Sequence, residues 1–449
     1  MPETITRVCA AHGVETRLQC AECGDPICLR CQVRTEVGLK CERCAALPAS
    51  SVPRRARRIG GPIAALLGIV MVAVASLVVV RLVSSPTKSG GTVPRPSPAG
   101  HWRALPDLAD IRGGTSAVLL PDGRVLAVGG GIGAIPLAGS DVFDPTTQRW
   151  SPSGPMHDAR RGNSTVVLAD GRVLTAGGIS AGRVLASAEV WNPSTGVWTR
   201  MAPMKEARFN NALMLLRDGR VLAAGGTAAT TTSSLASAEV YDPRANTWTA
   251  AGGPMLTSRS DAAAAMLSDG RVLVAGGFTE VQGNPVATAS AEIFDPVVGV
   301  FTRVASMQQA RQDFTLTALR QGRVLAVGGS AGSDALASAE TFDPTTGQWT
   351  ATGSLAQPRR LHSASLLSNG TVLVAGGEFV TEGSRTSLTS AEIFQPTSGK
   401  WRPAASMSCP RSAQAQVTLH DGRAIVVGGD AAFPGQPPQA QACSEVFTP

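Results

Sequence analysis

The chain has 449 residues, of which 49 are glycine, 30 are proline and only 4% are aromatic. That composition favours many short strands joined by tight turns and argues against a helical bundle or coiled coil. The net charge of +7 does not describe a basic folded domain, because residues 1–100 carry 13 Lys and Arg against 6 Asp and Glu while residues 101–449 carry 27 of each. With no basic excess and few stacking aromatics in the large domain, nucleic-acid binding is not expected.

The first pattern along the chain is Cys9-x2-His12-x7-Cys20-x2-Cys23-x4-Cys28-x2-Cys31-x9-Cys41-x2-Cys44. Eight ligand types in four close pairs suit two tetrahedral zinc ions. So short a segment buries too little apolar surface to fold alone, so the metals are expected to supply most of its folding free energy. Interleaved pairing assigns Cys9, His12, Cys28 and Cys31 to one ion and Cys20, Cys23, Cys41 and Cys44 to the other; sequential pairing is the alternative. The pattern resembles a B-box-type zinc finger over residues 1–48, although it ends in a Cys pair where histidines are common in that family. The resemblance implies a module that contacts a protein partner rather than a catalyst.

Ile59–Val80 is a run of 22 residues without a charge. As a helix it spans about 33 Å, close to a hydrocarbon core. It shows no polar stripe, so the expectation is one transmembrane helix over residues 59–83. Arg54, Arg55, Arg57 and Arg58 just upstream place the N-terminus in the cytoplasm and the large domain on the periplasmic or extracellular side. The run begins too far into the chain for a cleaved signal peptide. Residues 84–100, rich in Pro, Gly and Ser, read as a linker.

Residues 101–449 repeat. A glycine doublet closes an apolar strand at Gly129, Gly177, Gly225, Gly276, Gly328, Gly376 and Gly428, each followed by a second glycine, at spacings of 48 to 52 residues. Before each doublet lies a turn and strand such as Asp269-Gly270-Arg271-Val272-Leu273, where Asp-Gly is expected to supply the positive backbone angles of a hairpin. After each comes a strand such as Ala291-Glu292-Ile293-Phe294-Asp295, in most units ending at a proline, and then an aromatic residue. These landmarks resemble the kelch repeat, whose unit is one four-stranded propeller blade. The resemblance implies an all-β, seven-bladed kelch-type β-propeller over residues 101–449. Trp102 precedes the first doublet and the last unit has no outer-strand aromatic of its own, so the strand around Trp102 is expected to complete the final blade.

Each unit carries an arginine before its inner strand, namely Arg112, Arg160, Arg208, Arg259, Arg311, Arg359 and Arg411. Each also carries an acid in its third strand, namely Asp141, Glu189, Glu239, Glu292, Glu340, Glu392 and Glu445. We expect buried ion pairs, within or between blades, for most of these arginines rather than a charged channel, because function seldom needs one charge per blade in register. Thiols on the cytoplasmic side stay reduced, which favours zinc over disulfides there. Cys409 and Cys443, on the exported side, are expected to pair and to stabilise by about 3 to 4 kcal/mol.

Some kelch-like propellers are enzymes, galactose oxidase being the copper example, and such a site needs tyrosine and histidine ligands on one face. The single tyrosine, Tyr241, falls at a core strand position, and His101, His157, His362 and His420 scatter over different segments. Gly178-Ile179-Ser180-Ala181-Gly182 has nucleophile-elbow spacing but is followed by a strand, so it reads as a loop. The sequence therefore predicts a membrane-anchored scaffold that is not an enzyme. It is expected to bind a protein or glycan on the face built from the long loops at 227–237, 278–290, 378–390 and 430–443. The alternative reading is an exported carbohydrate-active enzyme of the galactose-oxidase-like type.

Overall fold

The computed structural model describes residues 97–449 except 229–232 and 382–383, together with four short N-terminal strands. The chain divides into two compact units, Met1–Gly91 and Thr92–Pro449. In the first, Arg7–Val8 pairs with Glu15–Thr16 and Gln32–Thr35 pairs with Gly38–Cys41, both antiparallel. The side chains of the eight expected zinc ligands, the helix expected over 59–83 and most of the linker lie outside the described residues. Among the described residues no helix is long and apolar enough to cross a membrane.

The second unit is a ring of seven four-stranded antiparallel sheets. Blade 4 is representative: Ala263–Met266 nearest the axis, then Val272–Ala275, Ala291–Asp295 and the outer Val300–Arg303. Second strands such as Val-Leu-Val-Ala at 272–275 are buried at every residue, because both faces of the sheet meet neighbouring blades. Small residues such as Ala263, Ala264 and Ala265 occupy the inner strand, where seven sheets converge and side-chain volume is scarce. Apolar residues between sheets form the core; Leu273 and Ile293 of blade 4, for example, pack with Val324, Phe342 and Trp349 of blade 5.

The hairpin between first and second strands departs from expectation in one detail. Only the glycine takes the left-handed conformation (Gly270, φ 93°), while Asp269 keeps an ordinary angle. Its carboxylate instead accepts the Arg271 N–H at 3.0 Å and Nε–H at 2.8 Å, so aspartate serves the turn through its side chain.

The ring closes as the sequence predicts. His101–Leu105 forms the outer strand of the seventh blade against Ser444–Thr448, with Trp102 opposite Phe447 and their ring centroids 5.1 Å apart. The Trp102 indole N–H donates to the Ala405 carbonyl at 2.7 Å, joining the blade to its neighbour. Gly100 must be glycine here, since its φ is +67° and a Cβ would collide with the Phe447 ring.

All seven arginines form such ion pairs, with separations from 2.6 Å for Arg112–Asp141 to 3.1 Å for Arg359–Glu392. Each guanidinium also donates to two carbonyls. Arg160, for example, reaches Gly177 O at 2.8 Å and Ser187 O at 3.1 Å. The six glutamates accept two backbone N–H groups each from the segment leading into their own blade, as Glu189 does from His157 and Asp158. Blade 1 differs, because Asp141 is one methylene shorter and accepts only from Arg112. Burial raises both acids, but the His157 and Asp158 hydrogen bonds hold the Glu189 carboxyl below its ordinary value, whereas Asp141 stays above it. Cys409 and Cys443 form a disulfide between the segment leading into the seventh blade and the approach to its third strand.

Candidate functional site: the axial pocket

Two residues beyond each arginine the chain turns through the left-handed region, with φ between 50° and 59° at Gly114, Gly162, Asn210, Asp261, Asp313, Leu361 and Ala413. These residues ring the axis and form a belt of blade-to-blade hydrogen bonds. Asn210 N–H donates to Gly162 O at 3.0 Å, Asp261 to Asn210 at 3.2 Å, Leu361 to Asp313 at 2.9 Å, Ala413 to Leu361 at 2.8 Å and Gly114 to Ala413 at 3.2 Å. Two junctions lack this bond, Gly114–Gly162 and Asp261–Asp313.

The next residue in each unit wedges between blades against the first glycine of the preceding doublet. A Cβ on Gly129 would meet Asn163 Oδ1, one on Gly328 the His362 ring and one on Gly376 the Gln414 amide. Close approach, together with the positive φ, explains why the doublet repeats.

Inside this belt lies a pocket of about 720 Å³, lined among others by Asn163, Asn211, Asp261, Asp313, His362, Gln414 and Asp430. Its mouth is the face on which the variable loops emerge, several as two-stranded hairpins such as Phe278–Val281 with Asn284–Ala287 and Glu378–Thr381 with Ser384–Ser387. Asn163 Oδ1, both Asn211 amide atoms, His362 Nδ1 and Gln414 Oε1 are buried without a protein partner. Asn163 Oδ1, Asn211 Oδ1 and His362 Nδ1 lie beside Gly129, Gly177 and Gly328, sealed between blades rather than open to the pocket.

The electrostatics are uneven around the ring. Burial and then the charge of Asp313 push the Asp261 carboxyl up to about 8, against side-chain hydrogen bonds from Ser260 and Asn210. Burial likewise raises Asp313, although Arg360 and Arg385 favour its charged form. Glu378, held by Arg360 at 2.7 Å, pushes the other way. Asp430 is raised by burial with Arg161 opposing. Burial, and then the Arg359 charge, lowers His362 to about 3, so it is neutral and its Nε2 lies 3.0 Å from Thr315 Oγ1.

Asp261 carries a testable pH dependence. The folded state keeps its proton up to about pH 8, whereas the unfolded chain releases it near the ordinary aspartate value, so stability is full below that value and is lost as pH rises to about 8. Asp261→Asn should therefore gain several degrees in melting temperature over wild type at pH 8 and little at pH 4, as read by thermal denaturation. Equal shifts at both pH values count against it.

Tyr241 is buried, its hydroxyl donating to Asn246 Oδ1 at 3.0 Å, and it does not reach the pocket. His157 binds Glu189 at 2.9 Å, and His101 and His420 are exposed. No group of three or more His, Cys, Asp or Glu suited to a metal occurs among the described residues, so they do not fit a tyrosine and histidine copper centre. Gly178–Gly182 is a hairpin, Ile179–Ser180 pairing with Arg183–Val184, as its loop reading requires. The sequence reading missed the belt position. Its only signal was in three units, where Gly114, Gly162 and Asn210, two beyond the arginine, are types that favour a left-handed turn.

Fold and site together define a seven-bladed β-propeller with a polar pocket on its axis, a scaffold for binding. The Kelch motif model matches residues 160–205, 208–255, 261–308, 317–355 and 359–408, together just over half of the sequence, and the chain belongs to this family. No curated protein matches it. Among solved structures 957 chains match; one is a fungal alcohol oxidase of the AA5 family in complex with copper. It is 20% identical, with a TM-score of 0.64, over 78% of this chain and 76% of that one, a likeness that shows the fold.

That likeness corrects one expectation. The scatter of histidines led to the prediction that the chain is not an enzyme, but an oxidase shares this fold, so the architecture is one that houses catalysis. What the residues argue against is one particular copper centre.

Proposed function

We propose that the chain is a membrane-anchored, exported carbohydrate-active enzyme whose substrate occupies the axial pocket. The observation that carries this reading is the gathering of amide side chains (Asn163, Asn211, Gln414) and carboxyl side chains (Asp261, Asp313, Asp430) around one 720 Å³ cavity on the axis. A polyhydroxylated ligand brings donors and acceptors together and satisfies both kinds of group at once. The kelch fold, shared with an alcohol oxidase, gives the reading a catalytic precedent without transferring that chemistry. Around the pocket the variable hairpins would hold the flanking part of a glycan or its protein carrier.

The rest of the chain is assigned by the same proposal. One helix over residues 59–83 anchors the protein with its N-terminus in the cytoplasm, and the Cys409–Cys443 disulfide supports an oxidising location for the propeller. Cys9, His12, Cys20, Cys23, Cys28, Cys31, Cys41 and Cys44 hold two zinc ions in a module that contacts a cytoplasmic protein.

The test is incubation of the detergent-solubilised full chain with a panel of oligosaccharides and polysaccharides, with binding followed calorimetrically and products by mass spectrometry. Binding and turnover of one glycan class, with two zinc ions per chain by elemental analysis, are expected. A protein that neither binds nor converts any glycan sinks the reading.

A further inference from the structure

Deepening that reading of the pocket, and resting on it, we propose that the Cys409–Cys443 disulfide is a redox lock on the pocket wall. Oxidised, it fixes the loop 430–443 in place. Reduced by a protein dithiol on the exported side, it frees that loop and weakens ligand binding.

Sister blades show that the ring itself needs no covalent bond at this point. Cys409 lies two residues before Arg411, and Cys443 lies just before the third strand. In blades 5 and 6 the same two positions hold Gln309 with Ser338 and Gln357 with Ser390, where the serine hydroxyl donates to the glutamine Oε1 at 2.5 and 2.7 Å. Blade 3 joins Ser237 to Glu206 in the same way. Each of these serine hydroxyls also accepts from its own blade's arginine, at 3.0 to 3.2 Å. The seventh blade gives this contact up, and Arg411 Nη2 donates to Glu445 alone, at 2.9 Å. A hydrogen bond therefore suffices elsewhere, and what the cysteines add is a link that is made or broken with redox state.

The loop they hold is the one with most need of holding. Residues 430–443 form the longest connection between a second and a third strand, against 278–290 and 378–390 in blades 4 and 6. Those two connections pair four residues with four, whereas this one pairs only Asp430–Ala431 with Gln439–Ala440. A long loop with few hydrogen bonds of its own opens easily unless its base is pinned.

Both ends of the loop reach beyond their blade. The Ala432 carbonyl accepts from Ser387 N–H of blade 6 at 2.9 Å, and the Gln441 and Ala442 carbonyls accept from Arg112 and Leu108 N–H, ahead of blade 1, at 3.0 and 3.1 Å. Asp430, at the start of the loop, lines the pocket, and a Cβ on Gly113 would collide with its carboxyl. Movement of this loop therefore alters the pocket wall at the junction of three blades. Cys409 and Cys443 are only partly buried, which leaves the bond open to a reductant.

In the redox step one thiolate of the dithiol attacks a cysteine sulfur, the S–S bond breaks and the departing sulfur takes a proton. The second thiol of the reductant then resolves the mixed disulfide. Two electrons and two protons pass to Cys409 and Cys443, which become thiols, and the reductant is left as a disulfide. Thiols are weak donors and acceptors, so the reduced pair does not reproduce the serine–glutamine bond of the sister blades.

The experiment follows the full chain oxidised, treated with dithiothreitol, and reoxidised, with the double variant Cys409→Gln/Cys443→Ser beside it. That variant restores the pairing of blades 5 and 6 without the covalent bond. Reduction of the wild type should speed amide hydrogen exchange within 432–442 by at least about 10-fold, leave 278–290 unchanged and preserve one cooperative melt. Affinity for the oligosaccharide that the oxidised chain binds should fall by at least about 5-fold and return on reoxidation, while dithiothreitol should alter neither quantity in the double variant. Exchange or affinity unchanged by reduction overturns the lock, and so does loss of the cooperative melt, which would make the bond a staple of the fold. A wild-type protein that binds no glycan in either state instead overturns the functional reading on which the lock depends.

Discussion

Replacing Arg160 by Met should lower the unfolding free energy by about 3 to 5 kcal/mol, measured by denaturant titration of the purified chain. The guanidinium is fully buried and joins Glu189, Gly177 and Ser187, thereby tying the loop after the glycine doublet to the third strand. Removing it leaves a buried carboxylate and two carbonyls short of a donor. Arg160→Lys should recover little, because one ammonium on a flexible stem cannot reproduce a planar fork directed at three acceptors. Because each blade has its own pair, Arg259→Met and Arg311→Met should give losses of the same size. A loss under about 1 kcal/mol at all three positions would mean that the pairs are ornaments of the fold.

The second large effect concerns the seam. Deleting residues 97–105 should abolish the single cooperative melt or lower its midpoint by more than about 10 °C, and should make the protein self-associate. The deletion removes a five-residue strand, uncovers Phe447 and exposes the edge of Ser444–Thr448 to pairing with other chains. Calorimetry with size-exclusion chromatography distinguishes the outcomes, and a monomer with an unchanged midpoint refutes the closure as a source of stability.

Much of this architecture was legible because a propeller repeats its physical constraints. Gly276 with Gly277 needs both positive φ and room for the next blade, and the same need recurs six more times, so sterics wrote a pattern that a single sequence displays. Arg259 and Glu292 were legible for the same reason, since a buried charge admits few substitutes. The pocket was harder to see. Its belt position takes glycine, asparagine, aspartate, leucine and alanine, so no single residue type marks it, and Asp261 and Asp313 look like ordinary loop acids until the ring brings them to one pocket. The expectation of no enzymatic role rested on tyrosines and histidines alone, and what overturns it is the fold shared with an alcohol oxidase. The Asp-Gly turns were located correctly, but a side-chain hydrogen bond did the work assigned to aspartate's backbone.

The join between His101–Leu105 and Ser444–Thr448 also sets an order of events during synthesis. The segment that reaches the ribosome exit first among the ring's strands must wait for nearly the whole remaining message to be translated before its hydrogen-bonding partner exists. Six sectors can assemble behind it from local contacts, whereas the last rests on the most distant pairing in the molecule. A nascent chain stalled before residue 444 therefore carries an unpaired strand with Trp102 and Leu105 uncovered, and holding that strand in reserve is a task for a chaperone.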